Sequence, residues 1–275
     1  MSPFDLVLLD LDGTILDPGA EPCIDPRVVQ AVARVQQAGT PVTLATGRTL
    51  DDVRPLVRHL GIRLPVVASQ GAMVGWAETG QILHEEPLDR PTSHEVMAWA
   101  RRARHVVALY VHRQGHPLRV LQNREERQPS YYDHLFGTPR CLVGFGPLGP
   151  DERVLKFIAV NPPGQPDLQG WLRRRFGCRV GLARTHPHLL EGTAPGVDKG
   201  SGVARLLENL GIPPQRVLFI GDNENDLPVF RLVGTGVAMG TAPQHVREAA
   251  AWTAPPLAQA GAAVALDRFL PDEGR

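Results

Sequence analysis

The chain has 275 residues, of which 43% are hydrophobic and 21% charged, and its 29 basic side chains balance its 29 acidic ones. A chain of this length and composition is globular and can form one large domain or two of ordinary size. Because the formal net charge is zero, no bulk field favours nucleic acid or an anionic membrane surface. We therefore expect neither nucleic acid nor a membrane as a partner.

The sequence also contains no apolar run that approaches the roughly 20 residues of a membrane-spanning helix, and it does not begin with a basic segment followed by an apolar one. Cys23, Cys141 and Cys178 are odd in number and lack the spacing of metal ligands. This usage indicates buried thiols in a reducing compartment. We expect a cytoplasmic protein, either a monomer or a homodimer.

The first predicted element is an apolar strand over residues 5–9, which ends in the carboxylates of Asp10 and Asp12. Residues two apart on a strand point to the same side, so these carboxylates converge if the strand geometry persists. Converging carboxylates repel unless a cation lies between them or one of them holds a proton, and both conditions are typical of catalytic sites. The alternative is a strand that ends in a solvated acidic turn.

The next elements are a helix from Pro26 to Gly39 and a strand over residues 40–45, which ends in Thr46 and Gly47. A hydroxyl and a glycine before a helix N-terminus form a common anion-binding arrangement, although a plain N-cap by Thr49 explains the same residues. A further strand over residues 64–69 completes an alternation of strands and helices. This order is typical of a doubly wound parallel sheet, whose ligands lie at the carboxyl ends of its strands.

From about residue 82 to residue 191 the pattern changes to α+β, and the α/β alternation then returns. The overall prediction is an α/β fold with a doubly wound, mainly parallel sheet core formed by residues 1–81 and 192–275, into which residues 82–191 insert an α+β cap domain. The predicted elements of the insert are helices over 92–104 and 168–176 and strands over 106–111, 118–121, 155–160, 179–184 and 189–191. Those that follow it are helices over 200–210, 222–230 and 244–251 and strands over 217–220 and 236–239.

Reactive side chains recur at the ends of the core elements. They are Asp10 and Asp12, Thr46, Lys199 just before a helix, and Asp222 with Asn225 and Asp226. Acidic strand ends that are distant in sequence become neighbours on one parallel sheet, which gives the carboxylates a shared partner. The simplest such partner is Mg²⁺, a hard ion that prefers oxygen ligands and leaves positions open for a phosphate.

Four segments carry a resemblance to a known family. They read Asp-Leu-Asp-Gly-Thr at 10–14, Ala-Thr-Gly-Arg at 45–48, Asp-Lys-Gly at 198–200 and Gly-Asp-Asn-Glu-Asn-Asp at 221–226. In this order they resemble the four motifs of the haloacid dehalogenase-like hydrolases. The large insert between the second and third motifs is similar to that of the Cof-type phosphatases, and the resemblance spans nearly the whole chain.

The resemblance implies a Mg²⁺-dependent phosphatase that hydrolyses a small phosphorylated metabolite through an aspartyl-phosphate. It implies catalytic roles for Asp10 as nucleophile, Asp12 as acid and base, and Lys199 as the cation that steadies phosphate and nucleophile. The residues that it implies for phosphate binding are Thr46, Gly47 and Asn225, and those for metal binding are Asp10, Asp12, Asp222 and Asp226. Gln70 and Thr241 depart from the family, in which asparagine is common at both positions.

Five further side chains are candidates for contacts to the substrate, with solvated surface positions as the alternative. They are Arg48, His112, His116, Arg119 and His186. The chain has only two lysines, Lys156 and Lys199, and the strand-like setting of Lys156 predicts an ordinary surface position.

Two other functions fit the same motifs. A phosphomutase would return the phosphoryl group to the substrate, and a catalytically silent protein would use the pocket to sense a phosphometabolite. The presence of Asp10, Asp12 and Lys199 favours an enzyme over the silent protein.

Overall fold

The computed structural model of the chain describes residues 2–17, 23–124, 140–142, 147–161, 164, 167–186 and 188–271. The strands are β1 (Leu6–Leu9), β2 (Val42–Leu44), β3 (Val66–Ala68), β4 (Met73–Gly75), β5 (Ile82–Glu85), β6 (Val107–His112), β7 (Arg119–Gln122), β8 (Arg140–Leu142), β9 (Arg153–Val160), β10 (Gly181–His186), β11 (Leu189–Thr193), β12 (Val217–Gly221), β13 (Thr235–Ala238) and β14 (Trp252–Thr253). The helices are α1 (Pro26–Gln37), α2 (Leu50–His59), α3 (Arg90–Arg102), α4 (Leu168–Phe176), α5 (Lys199–Leu210), α6 (Leu227–Leu232), α7 (Gln244–Ala249) and α8 (Gly261–Phe269).

The core of the fold is a five-stranded sheet in the order β14-β13-β12-β1-β2, and every neighbouring pair in it is parallel. One of its interior strands, β1, is apolar at each position and fully buried. Val7 and Leu9 pack with the cluster that includes α1 and α8, whereas Leu6 and Leu8 pack with the cluster that includes α5 and α6. Successive strand residues point to opposite faces, so a strand covered on both faces must be apolar throughout. The doubly wound α/β prediction is confirmed.

The predicted strand over residues 64–69 lies in a different sheet from the one that its position in the sequence suggests. Observed as β3, it forms an antiparallel three-stranded sheet with β4 and β5, and a single parallel bridge between Ala45 and Val67 joins it to the edge of the core sheet. The strands β4 and β5 were not predicted, because β4 is short and each lies next to turn residues.

The inserted region contains a second large sheet. Its order in the described residues is β10-β11-β9-β6-β7-β8, with antiparallel pairs except between β7 and β8. Leu109 and Phe157 pack with α3 and α4 on one face of this sheet. Tyr110, Lys156 and Ile158, which alternate with them along the strands, line a cavity on the opposite face.

Strand pairing at both crossings between core and insert extends past residues 82 and 191. Residues 82–85 form β5, which pairs with β4 next to the core, and Gly192 and Thr193 pair with Phe157 and Lys156 in the sheet of the insert. The chain therefore leaves the three-stranded sheet after Glu85 and leaves the larger antiparallel sheet after Thr193.

Two of the three cysteines differ from the expectation of buried thiols. Cys23 and Cys178 are free and exposed, and the side chain of Cys141 lies outside the described residues. Within the described part of the chain, no helix has the length and hydropathy needed to cross a membrane.

Candidate active site

The carboxylates predicted from the first and fourth motifs meet at the carboxyl edge of the core sheet. Asp10 follows β1 and Asp222 follows β12, and these strands are parallel neighbours with Leu9 opposite Ile220. The Asp10 amide donates to the Ile220 carbonyl at 2.9 Å. This hydrogen bond fixes the backbone that follows β1 to the end of β12. Asp10, Asp222 and Asp226 each offer a carboxylate oxygen, and these atoms lie within 4.8 Å of one another.

Lys199 brings a single positive charge into this group. It is the first residue of α5, which Asp198 caps by accepting from the Ser201 amide. The Lys199 ammonium lies 2.7 Å from Asp10 Oδ1 and 2.5 Å from Asp226 Oδ1, and the residue is 1% exposed. A compact ammonium can contact two carboxylates at once, and burial strengthens both contacts.

Asp226 organises the loop that follows β12. Its Oδ2 accepts from the backbone amides of Asp222 and Asn223 at 2.8 and 3.1 Å, while its Oδ1 accepts from Lys199. Every one of these contacts is to a nitrogen donor of the protein. Asp226 therefore fixes the backbone that presents Asp222 and is itself 0% exposed.

The glycine of the first motif is required by a close approach. Gly13 has φ of +87°, and a β-carbon at this position would lie 2.1 Å from Asp222 Oδ2. The neighbouring Thr14 hydroxyl donates to Asp222 Oδ1 at 3.3 Å. Any side chain at residue 13 would displace the Asp222 carboxylate, because both the backbone conformation and the space require glycine.

Burial governs the protonation of the carboxylate group. It raises the pKa of Asp10 well above its ordinary value, against the opposing charge of Lys199. Burial and the neighbouring Asp226 carboxylate raise the pKa of Asp222 to about 6. Although burial alone would lower the pKa of Lys199, the charges of Asp10 and Asp226 raise it above its ordinary value, so Lys199 remains a cation. An excess of carboxylates with only oxygen ligands suits a hard divalent cation.

The raised pKa of Asp222 predicts a stability that falls with rising pH. Between its ordinary pKa of 3.8 and about 6 the folded protein holds a proton that the unfolded chain releases, so this stabilisation is complete below pH 3.8 and is lost as pH rises through 6. The difference corresponds to at most about 3 kcal/mol. Asp222→Asn should therefore unfold at higher denaturant concentration than the unsubstituted protein at pH 7.5 in EDTA, and at a similar one near pH 4. Equal pH slopes for the two proteins would contradict the shift.

Asp12 does not join the carboxylate group, although it was predicted as a metal ligand together with Asp10, Asp222 and Asp226. Its two carboxylate oxygens accept from Arg48 Nε at 3.0 Å and from a terminal guanidinium nitrogen at 2.6 Å. This fork geometry fixes the plane of the carboxylate. The Arg48 amide donates to the Thr46 hydroxyl at 3.1 Å, so the second motif forms a short loop that ends in the Arg48 to Asp12 contact.

A cavity of about 260 Å³ lies between this edge of the core sheet and the antiparallel sheet of the insert. The core contributes Asp10, Asp12, Gly13, Gly47, Arg48, Gln70, Asp222, Asn223 and Asn225 to its wall, and the insert contributes Tyr110, Lys156, Ile158, Thr185, His186, Leu189 and Glu191. Ligand cavities commonly exceed about 300 Å³. The volume of this cavity suits a small molecule.

The predicted site residues fall into three groups. Asp10, Asp12, Gly47, Asp222 and Asn225 line the cavity, together with Arg48 and His186 from the set of possible substrate contacts. Lys199 and Asp226 lie in contact with Asp10 and Asp222, and Thr46 is buried beside Gly47. The remaining residues lie elsewhere: His112 and His116 line a separate cavity, Arg119 is exposed and pairs with Glu152, and Thr241 is exposed.

The prediction that Lys156 occupies an ordinary surface position is wrong. The residue is 2% exposed, and its ammonium lies 2.7 Å from Glu191 Oε2 and 2.8 Å from the Gly47 carbonyl. Sequence reasoning also missed Glu191 and Tyr110 as residues of the site. The sequence did carry one signal, because Lys156 stands among apolar residues in the stretch that forms β9. A lysine inside an apolar strand is seldom fully buried unless it has a partner.

The departure at Gln70 has a structural explanation. Its backbone is left-handed, with φ of 59°, and its side-chain amide bridges two regions by accepting from Asn225 Nδ2 at 3.1 Å and donating to Glu191 Oε1 at 3.3 Å. A β-carbon on Gly47 would lie 2.6 Å from Gln70 Nε2, so a larger residue there would displace this amide. Among the described residues, the buried Oδ1 of Asn225 has no hydrogen-bond partner. A cation or an O–H donor would complement this oxygen.

Comparisons with known proteins agree with this site. Residues 7–266 match the family model of the haloacid dehalogenase-like hydrolases. The chain is 25% identical to phosphatase YwpJ of Bacillus subtilis, over 89% of this chain and 92% of that protein. It is 26% identical to the 5-amino-6-(5-phospho-D-ribitylamino)uracil phosphatase YcsE of the same organism, over 89% and 87% of the two chains.

A solved haloacid dehalogenase-like hydrolase from Bacteroides thetaiotaomicron has the same fold, with a TM-score of 0.81, 24% identity, and coverage of 97% of this chain and 100% of that one. The parallel sheet, the inserted cap and the acidic edge thus define a hydrolase of this class. The chain belongs to the haloacid dehalogenase-like hydrolases, and within them to the Cof-type phosphatases, which are phosphoric monoester hydrolases.

Proposed function

We propose that this enzyme is a Mg²⁺-dependent phosphatase that hydrolyses a small phosphorylated metabolite through an aspartyl-phosphate on Asp10. The observation that carries the proposal is the buried group of Asp10, Asp222 and Asp226 around Lys199, which opens onto a cavity of about 260 Å³. Asp10 has one carboxylate oxygen bound to Lys199, and the residue also faces the cavity.

In the first step, an Asp10 oxygen forms a bond to phosphorus while the bond from phosphorus to the leaving oxygen breaks, and Asp12 gives that oxygen a proton. In the second step, Asp12 takes a proton from water, whose oxygen bonds to phosphorus and releases Asp10. Arg48 holds the Asp12 carboxyl group in a fixed plane, as the two hydrogen bonds between them require. Thr46, Gly47 and Asn225 bind the phosphoryl group in this proposal.

Asp10 and Asp222 are the residues best placed to hold Mg²⁺, with Asp226 as their support, because Asp226 already accepts from three nitrogen donors. When bound, the ion supplies positive charge at the phosphoryl oxygens. Lys199 supplies a second positive charge from the protein side. The excess of buried carboxylates over cations in the group is the feature that fits this ion.

The inserted region determines which phosphate esters enter. We place its limits at residues 86 and 193, where strand pairing changes from one sheet to the other. It covers the cavity with an aromatic and an aliphatic wall, from Tyr110 and Ile158, and with polar groups, from Thr185 and His186. A covered cavity of this size excludes bulky partners. The name of one relative likewise specifies a small phosphorylated molecule.

A panel of small phosphate esters tests the proposal. Phosphate release from sugar phosphates, nucleotides and cofactor phosphates should be rapid in Mg²⁺, should stop in excess EDTA and should return with added Mg²⁺. A folded phosphoprotein should be a poor substrate because it cannot enter the cavity. Release without an added bisphosphate would also separate hydrolysis from a phosphomutase reaction. The proposal fails if no ester releases phosphate, or if release persists after exhaustive chelation.

A further inference from the structure

Lys156 reaches the active site from the insert and contacts three protein groups there. Its ammonium lies 2.8 Å from the Gly47 carbonyl, 2.7 Å from Glu191 Oε2 and 4.5 Å from the centre of the Tyr110 ring. An ammonium has three N–H groups. Two of them donate to the Gly47 carbonyl and the Glu191 carboxylate, and the aromatic face of Tyr110 lies beside the same charge, so this lysine holds protein groups of core and insert together.

Glu191 extends these contacts to other loops of the site. Its Oε1 accepts from the Thr185 hydroxyl at 2.7 Å and from Gln70 Nε2 at 3.3 Å. Gln70 in turn accepts from Asn225. A continuous polar network therefore joins β9, β10 and β11 of the insert to the loops that follow β2, β3 and β12 of the core. A buried ion pair contributes little stability compared with apolar residues, so its role here is better sought in conformational specificity.

The contact to Gly47 has a consequence for the catalytic groups. The Gly47 carbonyl and the Arg48 amide belong to one planar peptide unit, so the orientation of one fixes the other. Arg48 donates its amide to the Thr46 hydroxyl and its guanidinium to both oxygens of Asp12. Lys156 thus binds one end of a connection, formed by the Gly47–Arg48 peptide and the Arg48 side chain, whose other end binds the Asp12 carboxyl group.

We propose that Lys156 is a positioning residue, which aligns Asp12 with the leaving oxygen through the Gly47 to Arg48 peptide and does so only while the insert covers the site. This inference rests on the proposed function, in which Asp12 donates the proton of the first step. It couples proton transfer to closure: when the insert is displaced, the loop of the second motif loses the cation that orients it.

Substrates with different leaving groups separate this role from a purely structural one. An alkoxide leaves only with a proton from the enzyme, whereas 4-nitrophenolate leaves readily without one. General acid catalysis contributes roughly 10²–10⁴-fold to rate. A misaligned Asp12 therefore slows hydrolysis of an alkyl phosphate far more than hydrolysis of 4-nitrophenyl phosphate, while a general loss of packing slows both alike.

The experiment compares kcat/KM for a primary-alcohol phosphate and for 4-nitrophenyl phosphate in Mg²⁺. In Lys156→Met, the ratio of the alkyl to the aryl value should fall at least about tenfold, which is a partial loss of the roughly 10²–10⁴-fold that general acid catalysis contributes. The matched control is Glu85→Gln, which removes the charge from another largely buried pair, between β5 and β6, that Glu85 forms with His112 outside this cavity. Its ratio should equal that of the unsubstituted enzyme.

A ratio that stays unchanged in Lys156→Met would overturn the proposal. If this variant does not fold, Glu191→Gln gives the same test, because it keeps the shape of the side chain and removes the charge that holds Lys156. Hydrogen exchange at residues 46–49 should also become faster in either variant and not in Glu85→Gln. If the unsubstituted enzyme releases phosphate from no ester of the panel, the proposed function itself fails, whereas activity with an unchanged ratio rejects only the role of Lys156.

Discussion

Replacement of Asp10 by asparagine is expected to abolish phosphate release, with kcat reduced by roughly 10⁴–10⁶-fold, as when a nucleophile is removed from other hydrolases. The amide cannot form an acyl phosphate, although its Oδ1 can still accept a hydrogen bond from the Lys199 ammonium in the present orientation. Initial rates at saturating Mg²⁺ and substrate measure the effect.

Asp5→Asn is the control for this substitution, because Asp5 lies just before the same strand and pairs with Arg216 on the surface. Its activity should match that of the unsubstituted enzyme. Near-normal phosphate release by Asp10→Asn would mean that another group attacks phosphorus.

Replacement of Lys199 by methionine is expected to be the most damaging substitution for stability. It leaves Asp10 and Asp226 buried without the cation that now lies within 2.7 Å of each. Breaking a buried pair in this way costs about 3–5 kcal/mol. Since protonation of the carboxylates relieves their repulsion, the free energy of unfolding should fall more at pH 8 than at pH 5, and activity should be lost at both.

Arg216→Met supplies the comparison, since it breaks an ion pair whose side chains are 44% and 42% exposed. Its denaturation midpoint should remain close to that of the unsubstituted protein. If Lys199→Met is as stable as Arg216→Met at pH 8, the buried charges do not interact as the geometry indicates.

The core sheet and most of its ligand edge could be predicted because both depend on local patterns. β1 is apolar at every position, which indicates a strand covered on both faces, and the next polar residues must therefore lie at its end. The same reasoning applied to β12 led to Asp222. Neighbouring parallel strands end at the same edge of a sheet. Asp10 and Asp222 were therefore expected to lie close together although more than 200 positions separate them, and the structure places them so.

The contribution of the insert could not be predicted in the same way, because it depends on which face of the insert's sheet lies over the core. The alternation of β9 separates Lys156 from Phe157, but the sequence alone does not tell that the lysine face lies over the core and the phenylalanine face beneath α3 and α4. Gln70 illustrates a smaller failure. Its difference from asparagine was visible, whereas its contact with Glu191 required the tertiary structure.

Asp12 shows the limit of a motif as a guide to geometry. Its position two residues after Asp10 predicted a carboxylate that converges on the same cation. Arg48, from a loop 36 positions away, instead binds both of its oxygens. An arginine in a motif can serve a phosphate or a carboxylate, and only the structure distinguishes these partners.

The most direct test of the account is the location of the phosphoryl group during turnover. Asp12→Asn, which lacks the base of the second step, is mixed with 4-nitrophenyl phosphate and Mg²⁺ and quenched rapidly in acid. Mass spectrometry of its peptides then locates the modification. The account predicts a phosphoryl group on Asp10 and none when Asp10 is also asparagine. Release of 4-nitrophenol with the phosphoryl group on another residue, or on none, would contradict it.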